Sequence, residues 1–411
     1  MDARGGARLR DRVDALDGVR GLSALAILVF HGYVFSPGQV GSYTDDLFAP
    51  FKMGVVVFFA VSGFLLYRPF AAAALRGEKV PSLRRYVRNR ILRIVPAYWV
   101  VLFACSTLGC TVVAISGAHT MLGSLSPREL VLDASLVSSL MPSQMLTGLT
   151  PAWTLAIEAT FYGVLPVLGA TICRLAHTTA SQVSRRRLAY TPPLALLLLG
   201  LAGQVATQAG DARDWGSAHW SGVLDRSFVC NACLFSGGMV VAVLHADPSG
   251  KPELPRVLAR ARRLLVVGAI PIIFAGRIWL PWWAYIDAVS LLASALVLQL
   301  AFATTPALLT RTLTTTAARG LGAISYGIYL WNFPVMLFLA SHQLLSPGPL
   351  GVLRNVMLSS AITLPAAAAT YLLVERPILA FKGRRPAPPV PGTALPPDTR
   401  PAPTAAVREA A

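Results

Sequence analysis

Residues 16–35 read LDGVRGLSALAILVFHGYVF, a run apolar enough to cross a bilayer that nevertheless carries Asp17, Arg20 and His31. On a helix turning about 100° and rising about 1.5 Å per residue, Arg20 and His31 fall within about 20° of each other around the axis and about 16 Å apart along it. Asp17 precedes Arg20 by three residues, the spacing of a helical ion pair. It also lies within about 40° of His31 on the same wheel. One helix thus carries a polar stripe from its charged end into its interior. Ionisable groups at such depth cost on the order of a few kcal/mol each and face a protein interior or a wet cavity, which marks them as functional candidates. On these residues alone, a snorkelling arginine with its counterion and a hydrogen-bonded core histidine stays an open alternative.

The rest of the chain has the same character. Of 411 residues, 55% are hydrophobic and 13% charged, against about 25% charged in a soluble domain. The composition predicts an integral membrane protein. The net charge of +17 does not imply a nucleic-acid partner, because the basic residues lie between apolar segments and not in one patch interleaved with aromatics. Apolar windows fall at 18–36, 53–70, 91–115, 152–173, 190–208, 224–244, 264–280, 282–303, 320–341 and 350–373. With the N-terminus inside, only Lys52, Arg128, Arg213, Arg226, Arg277 and Arg354 of the 36 Lys and Arg residues fall in outside loops, as the positive-inside rule requires.

The expected fold is therefore an all-α polytopic protein of the plasma membrane, with about ten transmembrane helices and both termini cytoplasmic. Residues 1–15 read as a basic cytoplasmic N-terminus, 16–378 as the transmembrane domain, and 379–411, rich in Pro, Ala and Arg, as a disordered cytoplasmic tail. A cleaved signal peptide is disfavoured by Arg20 and His31 within the run and by the lack of an A-x-A-like site after it. Residues 116–151, poor in charge, form the longest outside loop and could cover an entrance. Cys230 and Cys233 form a C-x-x-C, read as buried, inert thiols.

Further candidates lie on other spans. Ser62 and Gly63 are small residues in a bulky helix, a packing signal first. Arg90 and Arg93, spaced i,i+3, share a helical face at the mouth of the third span and suit bidentate phosphate binding. Glu158 is the one acidic residue inside the fourth span, where a carboxylate must be paired or hydrogen-bonded. Tyr326, Tyr329, Trp331 and Asn332 bring polar tips into the ninth span. The remaining histidines fall in loops or at span ends, and no H-E-x-x-H or grouped His/Cys spacing suggests a metal site.

Six stretches in order, LDGVRG with Arg20 and His31, VVFFAVSGFLL, RNRILRIVPAYW, PAWTLAIEATFY, SYGIYLWNFPV and VERPI, together resemble the acyltransferase 3 family of multi-pass membrane O-acyltransferases. The resemblance runs from residue 16 to 378. It implies transfer of an acetyl or other short acyl group from acyl-CoA, acetyl-CoA first, to a hydroxyl of a carbohydrate or glycosylated small molecule. It implies no bound cofactor and no metal, leaves the oligomeric state open, and ties the Arg20-to-His31 motif and the Arg90/Arg93 pair to activity. His31 is then the expected general base, Glu158 the residue that orients it, and Arg20, Arg90 and Arg93 the acyl-CoA-binding residues. Asp17, Ser62, Tyr326 and Asn332 are expected in support. The chain departs from the family pattern at Ala159, where a second acidic residue is frequent, and at Asn332, where a histidine is. The rival reading is a transporter that uses the same intramembrane Asp, Arg, His and Glu as a proton or substrate path.

Overall fold

The apolar windows become helices, and glycine, proline and capping serines set their ends. The computed structural model describes residues 3–41, 44–114, 120–208, 219–247, 254–302 and 308–380. Helices α1 (Ala3–Val34), α2 (Gly54–Arg76) and α3 (Leu83–Thr107) precede a hairpin of β1 (Thr111–Ala114) and β2 (Thr120–Gly123) and the short helix α4 (Pro127–Ala134). There follow α5 (Trp153–His177), α6 (Gln182–Gln208), α7 (Cys233–Ala246), α8 (Leu254–Arg263), α9 (Trp282–Ala301), α10 (Thr316–Ser341) and α11 (Pro349–Thr370). Gly77 ends α2 at a φ of 65°, a left-handed position that glycine adopts without a Cβ penalty. The Ser82 hydroxyl accepts from Arg85 N and opens α3. Beyond Ala380 the predicted tail lies outside the described residues.

Among the described residues, 8 helical segments are long and apolar enough to cross a membrane, against the ten windows read from the sequence. The two that fall short have physical causes. In window 224–244 the Asn231 side chain donates to the carbonyls of Asp225 at 2.8 Å and Ser227 at 2.9 Å, a local bond that competes with helix continuation. The apolar helix left after the break, α7, has 14 residues and rises about 21 Å, short of the roughly 30 Å hydrocarbon core. In window 264–280, α8 carries Arg256, Arg260, Arg262 and Arg263 and runs on through two π-helical turns, Leu264–Gly268 and Pro271–Ala275. Pro281 separates it from α9.

Two close crossings set the frame. Helix α1 lies backbone to backbone against α10: a Cβ on Gly21 would sit 2.7 Å from Gly322 N, and one on Gly322 would overlap the Asp17 carbonyl. Helix α2 lies against α7 in the same way, where Gly63 faces the Phe235 carbonyl and Gly238 the Ala60 carbonyl. Small residues permit such approaches where no hydrophobic gain separates helix from lipid. Around the second crossing Phe161 stacks on Phe235 with centroids 4.1 Å apart, and Phe59 lies 4.8 Å from Phe235.

Of the loop expected at 116–151, residues 120–151 are described and form a cap built around Asp133. A capping box of Ser126 and Glu129 starts α4, and Asp133 at its end is 2% exposed. Its Oδ1 accepts from Ser138 at 2.6 Å and Thr147 at 3.3 Å, while its backbone carbonyl accepts from the Tyr98 hydroxyl at 2.7 Å. Gly148, at a φ of 67°, leaves room for the carboxyl and pairs its backbone with Val112 of β1. Burial pushes the Asp133 carboxyl up to about 6, against the two hydroxyl donors, with the Glu129 charge adding to the rise. A carboxyl raised on folding stabilises the fold while protonated, and that contribution is lost as pH rises through about 6. The thermal stability of the purified protein should therefore fall between pH 4 and pH 7 by about 1–3 kcal/mol more than that of Asp133→Asn. Parallel melting curves for the two proteins check this, and equal slopes would refute it.

Candidate active site

Two clusters of polar groups lie along the predicted stripe of α1. At the Arg20 end the ion pair forms as its spacing suggested, with Arg20 Nη1 3.7 Å from Asp17 Oδ1. Arg20 also lies within electrostatic reach of Arg93 and Glu158, and its guanidinium stands 5.9 Å from the centre of the Phe58 ring. Helix α3 brings Arg90 and Arg93 to the same place, with the Arg90 guanidinium 5.8 Å from the centre of the Tyr162 ring and its Nε buried without a hydrogen-bond partner. Glu158 enters from α5, accepting from the Ser62 hydroxyl at 2.8 Å and from the Tyr162 hydroxyl. Glu375, on the π turn after α11, is 7% exposed and interacts electrostatically with Arg93 and Arg20. Three guanidinium groups thus share a region with three carboxyl groups, a balance that lowers the cost of holding any of them out of water.

At the other end, His31 is 8% exposed and its Nδ1 bonds Asn332 Oδ1 of α10. The amide fixes the chemistry of the ring. Asn332 Nδ2 donates to the carbonyls of Ile328 and Tyr329, each at 2.8 Å. Both amide hydrogens are therefore spent, and Oδ1 can only accept. Nδ1 of a neutral His31 must then carry the proton, which leaves Nε2 as a free base. Phe30 and Phe333 flank the ring at 5.4 and 5.2 Å between centroids. His31 lines a cavity of about 460 Å³ with Lys52, Phe59, Trp153, Trp282 and Phe333 among its walls.

A smaller cavity, lined by Arg20, Glu158 and Tyr326, abuts the first and shares Val55, Phe59, Thr154 and Tyr329 with it. Between the two the Tyr329 hydroxyl donates to the Pro151 carbonyl at 2.6 Å, and Thr154 Oγ1 lies 2.5 Å from it.

The predicted residues accordingly fall into two sets. Asp17, Arg20, Ser62, Arg90, Arg93, Glu158 and Tyr326 gather at one end, the last bonding the Ile94 carbonyl at 3.0 Å. His31 and Asn332 sit at the other. Glu158 was expected to orient His31, and the structure does not bring them together: Asn332 holds the imidazole while Glu158 is held by Ser62 and Tyr162. Ser62 consequently does more than pack, and the packing belongs to Gly63. Sequence reasoning passed over Glu375 and Tyr162. The first stood within the quoted VERPI stretch, an acidic residue at the end of the last long helix; the second lies one helical turn from Glu158, within hydrogen-bond reach on the same face.

A family model described as an acyltransferase domain matches residues 13–374, and with the long apolar helices this decides the class. The chain belongs to the acyltransferase 3 family. No curated protein and no solved structure matches it. The protein is a multi-pass membrane acyltransferase, and every residue of the two clusters except Glu375 lies within the matched residues. With His31 as the base expected from the sequence, Asn332→Ala should lower kcat by about ten- to a hundredfold, because the imidazole loses the acceptor that fixes its tautomer. It should also displace the pH dependence of kcat, whereas Asn332→Asp, which can still accept from Nδ1, should recover part of the rate. An unchanged pH profile in Asn332→Ala would show the bond to be structural only.

Proposed function

We propose that the protein is an O-acyltransferase of the plasma membrane that moves an acetyl or other short acyl group from acyl-CoA to a hydroxyl of a carbohydrate or glycosylated small molecule. The observation that carries this reading is a histidine with its Nε2 free, on a cavity that abuts an arginine-lined one. The distribution of Lys and Arg between loops supports an orientation with both termini in the cytoplasm. On that orientation the segments around α7 and α8 complete a bundle of ten crossings. The arginine cluster then opens to the cytoplasm, where acyl-CoA is met, and the His31 cavity opens outward.

The nucleotide end of acyl-CoA is a string of phosphates, which planar guanidinium groups bind bidentately. Arg20, Arg90 and Arg93 supply three, with Glu158, Glu375 and Asp17 holding them in place until the donor arrives. The thioester arm is long and thin, and it reaches His31 past Thr154 and Tyr329. An alcohol is a weak nucleophile until a base takes its proton. His31 Nε2 accepts the hydroxyl proton as the oxygen attacks the thioester carbonyl carbon. The new C–O bond forms, the C–S bond breaks, and the imidazolium returns its proton to the departing thiolate, giving an ester and free CoA. Asn332 Oδ1 accepts from Nδ1–H throughout and so keeps the ring in one orientation.

His31→Ala should insert normally and lose kcat by about 10²–10⁴-fold, measured as thiol release and labelled ester from acetyl-CoA and a glycoside acceptor in detergent. Detergent removes the compartments that transport requires, so transfer there also separates an enzyme from a transporter. Undiminished transfer in correctly inserted His31→Ala would overturn the assignment. Arg90→Ala with Arg93→Ala should raise the acyl-CoA KM at least about tenfold, with a smaller effect on the acceptor KM. An unchanged donor KM would remove the arginines from the binding site.

A further inference from the structure

The His31 cavity carries a charge that the transfer reaction does not use. Lys52 precedes α2 on the turn Ala49–Met53 and lines the cavity, its Nζ 3.9 Å from the centre of the Trp282 ring. Trp282 opens α9, so the contact ties two helices together and holds a flexible side chain in one place. The carboxylates nearest in sequence are engaged elsewhere. Asp45 and Asp46 lie 2.5 and 2.6 Å from Arg277 Nη2, and Asp45 also accepts from the Tyr33 hydroxyl. Lys52 feels the Arg277 cation more strongly than the Asp45 carboxylate. The other cation of the cavity, Arg226, is held by the Gly222 carbonyl at 3.1 Å and lies beside Asp225. Among the described residues no Asp or Glu lines this cavity.

Trp153, Trp282, Phe30, Phe59 and Phe333 give the same walls broad apolar faces. A site with aromatic faces, one ammonium fixed on a ring and no carboxylate is complementary to a molecule that presents apolar ring faces and one negative charge. We infer that the acceptor carries an anionic group, a carboxylate, phosphate or sulfate, which Lys52 receives at the mouth of the cavity while a hydroxyl of the same molecule reaches His31. The CoA phosphates are not that group, since the arginines that suit them lie at the Arg20 end of α1, about 16 Å along the helix. This inference rests on reading the His31 cavity as the acceptor site.

The test uses p-nitrophenyl β-glucuronide and p-nitrophenyl β-glucoside, which differ in one carboxylate, with the full chain in detergent. Binding is measured by calorimetry and acyl transfer from acetyl-CoA in parallel. The wild type should bind the glucuronide roughly tenfold more tightly than the glucoside, as expected of one charge-assisted hydrogen bond. Lys52→Gln should abolish that difference and Lys52→Arg should retain it, with gel filtration confirming that both variants fold. Equal affinity for the two glycosides in the wild type, or a preference that survives Lys52→Gln, would overturn the inference. Because binding is read without turnover, its failure is separable from that of the proposed function. A Lys52-dependent preference without transfer would refute acylation of such acceptors and leave anion recognition standing. Equal transfer to both glycosides would do the reverse.

Discussion

The backbone crossing of α1 and α10 is the constraint on which the site depends. Gly21 and Gly322 bring the two main chains together where any larger side chain would separate them. Helices held that close have little freedom to slide or rotate, and the polar residues further along them are fixed in consequence. His31 meets Asn332 two to three turns beyond the contact, a distance over which a small rotation would lose the hydrogen bond. The motif LDGVRG therefore has two jobs within six residues. Its Gly21 sets the approach of α10, and its Asp and Arg begin the charged cluster.

At the Arg20 end the problem is one of cost. Three arginines gathered in a bundle repel each other, and each pays a desolvation penalty unless anions are near. Asp17, Glu158 and Glu375 meet that requirement from three different helices, with Ser62 and Tyr162 holding Glu158. Such a cluster balances its own charges and, on the proposed reading, can still take an anion. The buried Arg90 Nε without a partner is one donor left over. A site with no counter-charges would be costly to fold, and one with every donor satisfied would offer little to a phosphate.

Much of this was legible in the sequence because it lies within single helices. The spacing of Asp17, Arg20 and His31 fixed their shared face, and Arg90 with Arg93 followed from the same periodicity. Relations between helices were not legible. Nothing in the fourth-span motif says which way α5 is rotated about its axis, so Glu158 could be matched with His31 on chemical grounds and still point at Ser62 and Arg20. Asn332 was undervalued for a related reason: its substitution for a frequent histidine reads as a lost proton carrier, while its value as a hydrogen-bond acceptor depends on carbonyls one turn back that only the fold supplies. The two windows without a long apolar helix, 224–244 and 264–280, show a limit of hydropathy. Composition averages over Asn231 and over the arginines of α8, and a helix break or a basic turn changes what a window can do.

The use of an amide against His31 has its own logic. A carboxylate in that position would stabilise an imidazolium more strongly than an amide does, as the aspartate of a Ser-His-Asp triad does. Placed deep in a bundle it would also have to be held charged before any substrate arrived, at a desolvation cost that an uncharged amide avoids. Asp17, Glu158 and Glu375 are instead collected beside the arginines of the other cluster. Asn332 carries no net charge, spends both its hydrogens on its own helix, and offers one oxygen whose only complement is an N–H. That arrangement puts the proton of a neutral His31 on Nδ1 and leaves Nε2 unprotonated, the form that the proposed general base requires. In the proposed reaction the imidazolium is brief and is discharged when its proton passes to the departing thiolate.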